Sequence, residues 1–176
     1  MLVLGGSGGV GTFTVQLAVD RGAEVDATCG ESNRALVERI GATRTFDHRV
    51  TSASVLEAGR YDAIIDIVGR EPLPTLRDLL TPEGTIVMVS GAGGSVLGPL
   101  PRMLRAALLS IGSRRRIRPL LAVPKPEMTR ALIELVRAGR IAPVIERTYP
   151  FSEATAALAR VETGHAVGKV VVRVEE

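Results

Sequence analysis

The sequence of 176 residues has no tryptophan, one cysteine, two histidines and only 3% aromatic residues. So few rings leave little for stacking on bases, and nucleic acid is not an expected partner. A single cysteine excludes an intrachain disulfide and fits a reducing compartment. Catalytic zinc usually takes about three protein ligands and structural zinc about four. Cys29, His48 and His165 show no ligand spacing, so no metal site is expected. No apolar run of about 18 residues occurs, which argues against a membrane-spanning helix. The N-terminus has no basic stretch before its apolar residues and does not read as a secretory leader. The cytoplasm is the expected location.

What is present is aliphatic. Hydrophobic residues make up 45% of the chain, and Val, Leu, Ile and Ala must build the core. The formal charge of +3 permits an anionic ligand. The basic run Ser113-Arg114-Arg115-Arg116-Ile117-Arg118 reads as a solvated helix end or loop.

Short aliphatic runs alternate with helical patterns. Leu2 to Leu4 is a first strand, and Val10, Phe13, Leu17 and Ala18 then share a helix face. Glu24 to Thr28 is a second strand, and Leu36, Val37 and Ile40 mark a second helix. Both helices end in Gly-Ala (Gly22-Ala23, Gly41-Ala42), where glycine supplies a left-handed cap. Further strands are expected at Thr43 to Phe46, Ala63 to Val68, Thr85 to Val89 and Ile117 to Val123, with helices at Leu73 to Leu80 and around Pro99 to Ser110. "TPEG" at Thr81 to Gly84 has the pattern of a type I turn. Strands separated by helices predict an α/β fold, a doubly wound parallel sheet of about six strands over residues 1–123. Residues 124–176 predict a helix face at Met128, Ala131, Leu132, Leu135 and Val136, then a strand-helix-strand extension.

Gly6, Gly8 and Gly11 spell G-x-G-x-x-G between a strand and a helix, the setting a dinucleotide loop requires. The first glycine makes a tight turn, the second lets backbone approach a pyrophosphate, and the third lets helix pack on strand. A P-loop needs a lysine after its last glycine, but Thr12 follows Gly11. The short-chain dehydrogenase pair, a tyrosine with a lysine four residues on, is missing: Ile65 follows Tyr61, and Glu153 follows Tyr149. A methyltransferase would want an acid at the end of the second strand, where Cys29 and Gly30 stand. The same missing acid removes a group that would bind an NAD ribose and repel a 2′-phosphate. Ser32 and Arg34 follow at a helix start, while Glu31 argues the other way. NADP(H) is therefore favoured over NAD(H), with Cys29, Ser32 and Arg34 at the adenosine end.

The chain resembles the medium-chain dehydrogenase/reductase superfamily, in its zinc-independent quinone oxidoreductase-like branch. The resemblance runs end to end, through "GGSGGVGTFTVQLAVDRGAEVDATCG", "LVERIGATRTFDH", "YDAIIDIVG", "LLTPEGTIVMVSG" and the C-terminal "LIELVRAGRIAPVIERTYPFSEATAALARVETGHAVGKVVVRV". It implies a Rossmann-type cofactor domain and an NAD(P)H-dependent oxidoreductase acting on a small quinone, enone or alcohol. Ser7, Gly9, Val10 and Gly11, with Gly8 among them, match the pyrophosphate loop. Val68 and Gly69 match the loop after the fourth strand, and Ser90 and Gly91 the loop near the nicotinamide. Many relatives carry a basic residue where Ser32 stands. Lys169 matches a frequent family lysine. Relatives often dimerise by pairing their sixth strands, here Ile117 to Val123. The family's N-terminal GroES-like catalytic domain has no counterpart here, and the elements from Ala142 to Glu176 would normally pack on it. No acid, base or nucleophile is assigned; Tyr61, Tyr149 and His165 sit in no catalytic constellation. The alternative is a non-catalytic NADP(H)-binding module, or a fragment needing a separate catalytic domain.

Overall fold

Alternating aliphatic side chains decide how the first strand sits. In the computed structural model, which describes residues 1–89, 100–120, 123 and 125–174, β1 (Leu2–Leu4) is buried throughout. Leu2 and Leu4 enter one apolar cluster, with Tyr61, Ile64, Leu76, Leu80 and Ile86. Val3 enters another, with Val15, Val25, Ala27 and Val37. Successive side chains of a strand point to opposite faces, so this three-residue strand feeds a core on each side of the sheet.

The chain continues through α1 (Gly11–Asp20), β2 (Asp26–Cys29), α2 (Arg34–Arg39), β3 (Arg44–Asp47), β4 (Tyr61–Asp66), α3 (Leu73–Asp78), β5 (Leu80–Met88), α4 (Leu100–Ser110) and β6 (Arg116–Pro119). The sheet order is β3-β2-β1-β4-β5-β6, and every pairing is parallel. The order reverses between β1 and β4. In such sheets, ligands bind at the carboxyl ends of the strands beside that reversal. Gly22 and Gly41, with φ of +80° and +113°, close α1 and α2 as expected.

Three elements depart from expectation. "TPEG" is not a turn ahead of β5 but lies inside it, as an irregularity where the register passes from Tyr61↔Leu80 to Ala63↔Thr85. Strand β6 ends at Pro119, and residues 121 and 122 of the expected strand lie outside the described residues. The helix after it, α5 (Pro126–Arg137), has no buried residue, and Met128, Leu132 and Ile133 are exposed. Pattern predicted that helix; of its apolar face Leu135 and Val136 are half-buried, and Met128 and Leu132 stay exposed.

The extension does not join the main sheet. β7 (Ile145–Pro150) and β8 (Lys169–Arg173) form a separate parallel pair, with α6 (Ala154–Glu162) between them. It is tied back to α1. The Arg140 guanidinium donates twice to the Asp20 carboxylate at 2.7 Å, and the Gln16 side-chain amide exchanges two hydrogen bonds with the Ala142 backbone. Among the described residues, no helix is long and apolar enough to cross a membrane.

Candidate functional site

The glycine loop fills the turn from β1 to α1. Gly5 N–H donates to Thr28 Oγ1 (3.1 Å) and Gly6 N–H to the Thr28 carbonyl (2.8 Å), which fastens the loop to β2. The left-handed turn residue is Gly5, with φ +89°. Gly6, expected to make the tight turn, serves packing instead: a Cβ there would sit 2.9 Å from that of Ala27. Gly11 behaves as expected, because any Cβ would overlap the Gly5 carbonyl oxygen. Gly8 is open, its nearest neighbour the Gly5 oxygen at 3.7 Å from such a Cβ. The second glycine thus leaves backbone accessible, as the motif requires.

The start of α1 is electrically unanswered. Val10 precedes it with no side-chain cap, and no acidic residue stands in its first turn. Among the described residues, the N–H groups of Gly9, Val10 and Gly11 have no acceptor. Thr12 is fully buried, and its hydroxyl has no partner there either. Free N–H groups and the positive end of a helix dipole make a receptor for an anion. Ser7, Gly8, Gly9, Val10 and Gly11 all lie in this arc, and Ser7 Oγ accepts from Asn33 Nδ2 at 3.4 Å.

Around the end of β2 the structure redistributes the expected roles. The thiol of Cys29 belongs to the core, 2% exposed, and burial pushes its pKa up to about 11. Whatever Cys29 offers the crevice is backbone. Ser32 is exposed in a short 3-10 turn, Glu31–Asn33. Arg34 is already engaged: its Nε–H donates to Thr45 Oγ1 (3.0 Å), and its guanidinium pairs with Glu31 at 3.3 Å. The cation that reaches Gly30 is Arg49, whose terminal nitrogen lies 2.9 Å from where a Gly30 Cβ would stand. Its Nε lies 3.6 Å from Asp47, and 63% of its side chain is exposed. Sequence reasoning missed this residue. The available signal was a basic residue just beyond β3, which pairs with β2 through Cys29↔Asp47.

After β4, Val68 leans on Gly5, its Cγ2 2.7 Å from where a Gly5 Cβ would be. Gly69 N–H donates to Asp66 Oδ1 at 2.8 Å. The other Asp66 oxygen pairs with Arg102 of α4, which also donates to the Glu71 carbonyl. Asp66 is fully buried, so this pair pins the β4 loop beside the glycine loop. Ser90 and Gly91 lie outside the described residues.

A family model described as zinc-binding dehydrogenase matches residues 40–172. The chain belongs to that family. It lies within the medium-chain dehydrogenase/reductase superfamily. It is 31% identical to a chloroplast envelope quinone oxidoreductase homolog of Arabidopsis thaliana, over 98% of this chain and 51% of that protein. It is 34% identical to a mitochondrial NAD(P)H oxidoreductase of Homo sapiens, over 99% of this chain and 48% of that one. The structure of the quinone oxidoreductase from Coxiella burnetii superposes with a TM-score of 0.83 at 30% identity, covering 99% of this chain and 52% of that chain. The chain thus spans about half the length of the relatives it matches. Its sheet is the Rossmann-type, NAD(P)-binding fold of these neighbours.

The family is named for zinc, but the described residues do not fit it. Among the described residues, no three of His, Cys, Asp and Glu group as metal ligands would. The other candidate groups are each engaged by a neighbouring group. His165 is exposed, its ring nitrogen against the Thr163 carbonyl. Tyr149 is buried under Arg147, whose guanidinium carbon stands 4.4 Å from the ring centroid. Tyr61 opens β4 at the opposite, amino-terminal end of the strands, with its hydroxyl on Asp26 at 2.8 Å. A cleft of about 540 Å³ opens at that same end, lined by Glu24, Asp26, Arg60 and Asp62. Arg60 is paired there with Glu24, Asp26 and Glu57, so the cleft has little free charge for an anion.

Proposed function

We propose that this chain is the cofactor-binding half of an NAD(P)H-dependent oxidoreductase that passes hydride between a nicotinamide and a quinone, enone or alcohol. The observation carrying this reading is the row of unanswered N–H groups at Gly9, Val10 and Gly11, at the reversal point of a Rossmann-type sheet. The cofactor, when bound, supplies the hydride chemistry. The chain's own part is to seat the pyrophosphate on these N–H groups and hold the β4 loop through Asp66 and Arg102. The exposed Met128 and Ile133 of α5 favour the second reading, a binding module completed by a separate catalytic domain. The division at 123/124 and a cytoplasmic setting belong to the proposal too.

For the choice of dinucleotide we favour NADP(H), now on Arg49 rather than Arg34. Nothing acidic stands at Gly30, and the Arg49 tip faces it. Titration with each reduced cofactor, followed by fluorescence, tests both levels. The chain should bind NADPH in preference to NADH. Arg49→Ala should weaken NADPH about tenfold, the worth of one charge-assisted hydrogen bond, and leave NADH unmoved. Binding of neither cofactor would end the dinucleotide reading; equal losses for both would end the role of Arg49.

The described edge of β6 works against pairing of two sixth strands. Ile117 N–H already donates to Ser110 Oγ at 3.3 Å, Arg115 N–H to Ser113 Oγ at 3.1 Å, and Pro119 has no N–H. A partner strand needs those donors. Sedimentation at micromolar concentration should therefore find monomer, and Ser110→Ala should raise the dimer fraction. A dimer in the unmodified protein that Ser110→Ala does not strengthen would contradict this.

A further inference from the structure

We infer that Lys169 is a pyrophosphate ligand, carried to the glycine loop by the C-terminal unit. The inference rests on the dinucleotide reading and adds to it a residue from outside the Rossmann-type sheet.

The loop offers donors but no formal charge: Ser7 to Gly11 contain no cation. A bound pyrophosphate diester brings two negative charges. Three contacts place a lysine beside it. Gly168 N–H donates to the Ser7 carbonyl at 2.9 Å, which stitches the start of β8 to the loop itself. Lys169 N–H donates to the Val144 carbonyl at 2.8 Å, which sets the direction of the strand. The side chain then runs across Gly9, with Nζ 3.2 Å and Cδ 3.3 Å from where a Gly9 Cβ would be. Gly9 is therefore a passage for this lysine. Gly168 is equally constrained, with φ +67° and no room for a Cβ beside the Val144 carbonyl.

The ammonium is not otherwise spoken for. Among the described residues Lys169 makes no ion pair with an acidic side chain. Its nearest special contact is the Phe13 ring on α1, 5.9 Å from Nζ to the centroid. An aromatic face steadies a cation without neutralising it. Asp20–Arg140 and Gln16–Ala142 fasten the same unit further along α1. The lysine is thus held by backbone on both sides, next to the free N–H groups, with its charge unspent.

Lys169→Met tests this, because it keeps the stem that packs on Gly9 and Phe13 and removes only the charge. Fluorescence titration at low salt should show NADPH and NADH both weakened about tenfold, the worth of one charge-assisted contact. Lys169→Arg should restore most of the loss. The salt dependence of binding should also flatten in Lys169→Met, since one fewer charge is screened. The melting temperature without cofactor should stay within a degree or so, as for an exposed side chain. The pattern differs from that of Arg49, which moves NADPH alone. Unchanged affinity in Lys169→Met, or a loss that Lys169→Arg does not recover, would overturn the inference while leaving the dinucleotide reading intact. Failure of the unmodified chain to bind either cofactor would remove the reading beneath it.

Discussion

Gly11→Ala should abolish measurable dinucleotide binding, a loss of at least about a hundredfold, and lower stability by about 3 kcal/mol, the upper range for overpacking. The cause is steric and has no soft escape. The added methyl overlaps the Gly5 carbonyl oxygen and comes within 2.9 Å of the Gly5 and Gly6 carbonyl carbons. All three are backbone atoms of the loop, so α1 must back away from β1. That movement parts Val15 from Val3 and Val25 in the apolar cluster, and it scatters the N–H groups of Gly9 to Gly11. Gly22→Ala is the contrasting control. Nothing lies within 4 Å of its Cβ position, so only its φ of +80° is strained. It should cost about 1 kcal/mol and leave binding alone. Thermal melts and NADPH titration on both variants decide the matter. Normal binding by Gly11→Ala would mean that helix and strand do not meet as closely as described.

Much of the fold was legible because its signals are local. The Gly-Ala ends of α1 and α2 and the continuous aliphatic runs needed no distant partner to be read. "TPEG" shows where locality fails. Proline and glycine favour a turn in isolation, yet here they sit inside β5, where a Gly84 Cβ would lie 2.8 Å from the Tyr61 carbonyl oxygen. The turn chemistry is spent on a bulge. Helix α5 fails differently. Its periodic apolar residues correctly predict a helix, but periodicity carries no information about what covers the face, and here Met128 and Ile133 stay exposed.

The site divides along the same line. The glycine spacing located the loop, since backbone geometry follows from glycine positions. Where long side chains end up does not. Arg34 stands four residues from Gly30 in sequence, yet Glu31 and Thr45 hold it. Arg49 arrives from the neighbouring strand only because β2 and β3 pair in register. Lys169 comes from the far end of the chain, set beside the loop by the bond from Gly168 N–H to the Ser7 carbonyl and by the ties of its unit to α1. Each of these placements depends on tertiary pairing that no window of sequence contains.

Asp26→Ala should be the most destabilising single change at the amino-terminal end of the sheet, by about 3 kcal/mol at pH 7, the low end for breaking a buried ion pair. Asp26 is 2% exposed in β2. It accepts from Arg44 at 2.6 Å and from the Tyr61 hydroxyl at 2.8 Å, and Arg60 lies 3.5 Å away. Removing it strands a buried phenol and two guanidinia. The low end applies because both guanidinia keep partial access to water: the Arg44 and Arg60 side chains are 42% and 31% exposed. Burial pushes the Asp26 carboxyl up, but the Arg44 and Tyr61 hydrogen bonds and the Arg44 and Arg60 charges together outweigh it, and its pKa lies below the usual value. A depressed carboxyl stabilises the fold above its unfolded pKa of about 4, and that contribution fades as pH falls through the folded value. Tyr61 acts in the opposite direction. Burial first, then the hydrogen bond to Asp26, pushes the phenol up to about 12. Its contribution is complete below about pH 10 and fades as pH rises toward 12. Urea unfolding from pH 3 to 11 should therefore show the unmodified protein losing stability at both ends. In Asp26→Ala the acid loss should shrink, and the gap between the two proteins should narrow as pH falls below about 4, the unfolded value. A stability gap that stays constant from pH 7 to pH 3 would show that packing, not charge, is what Asp26 contributes.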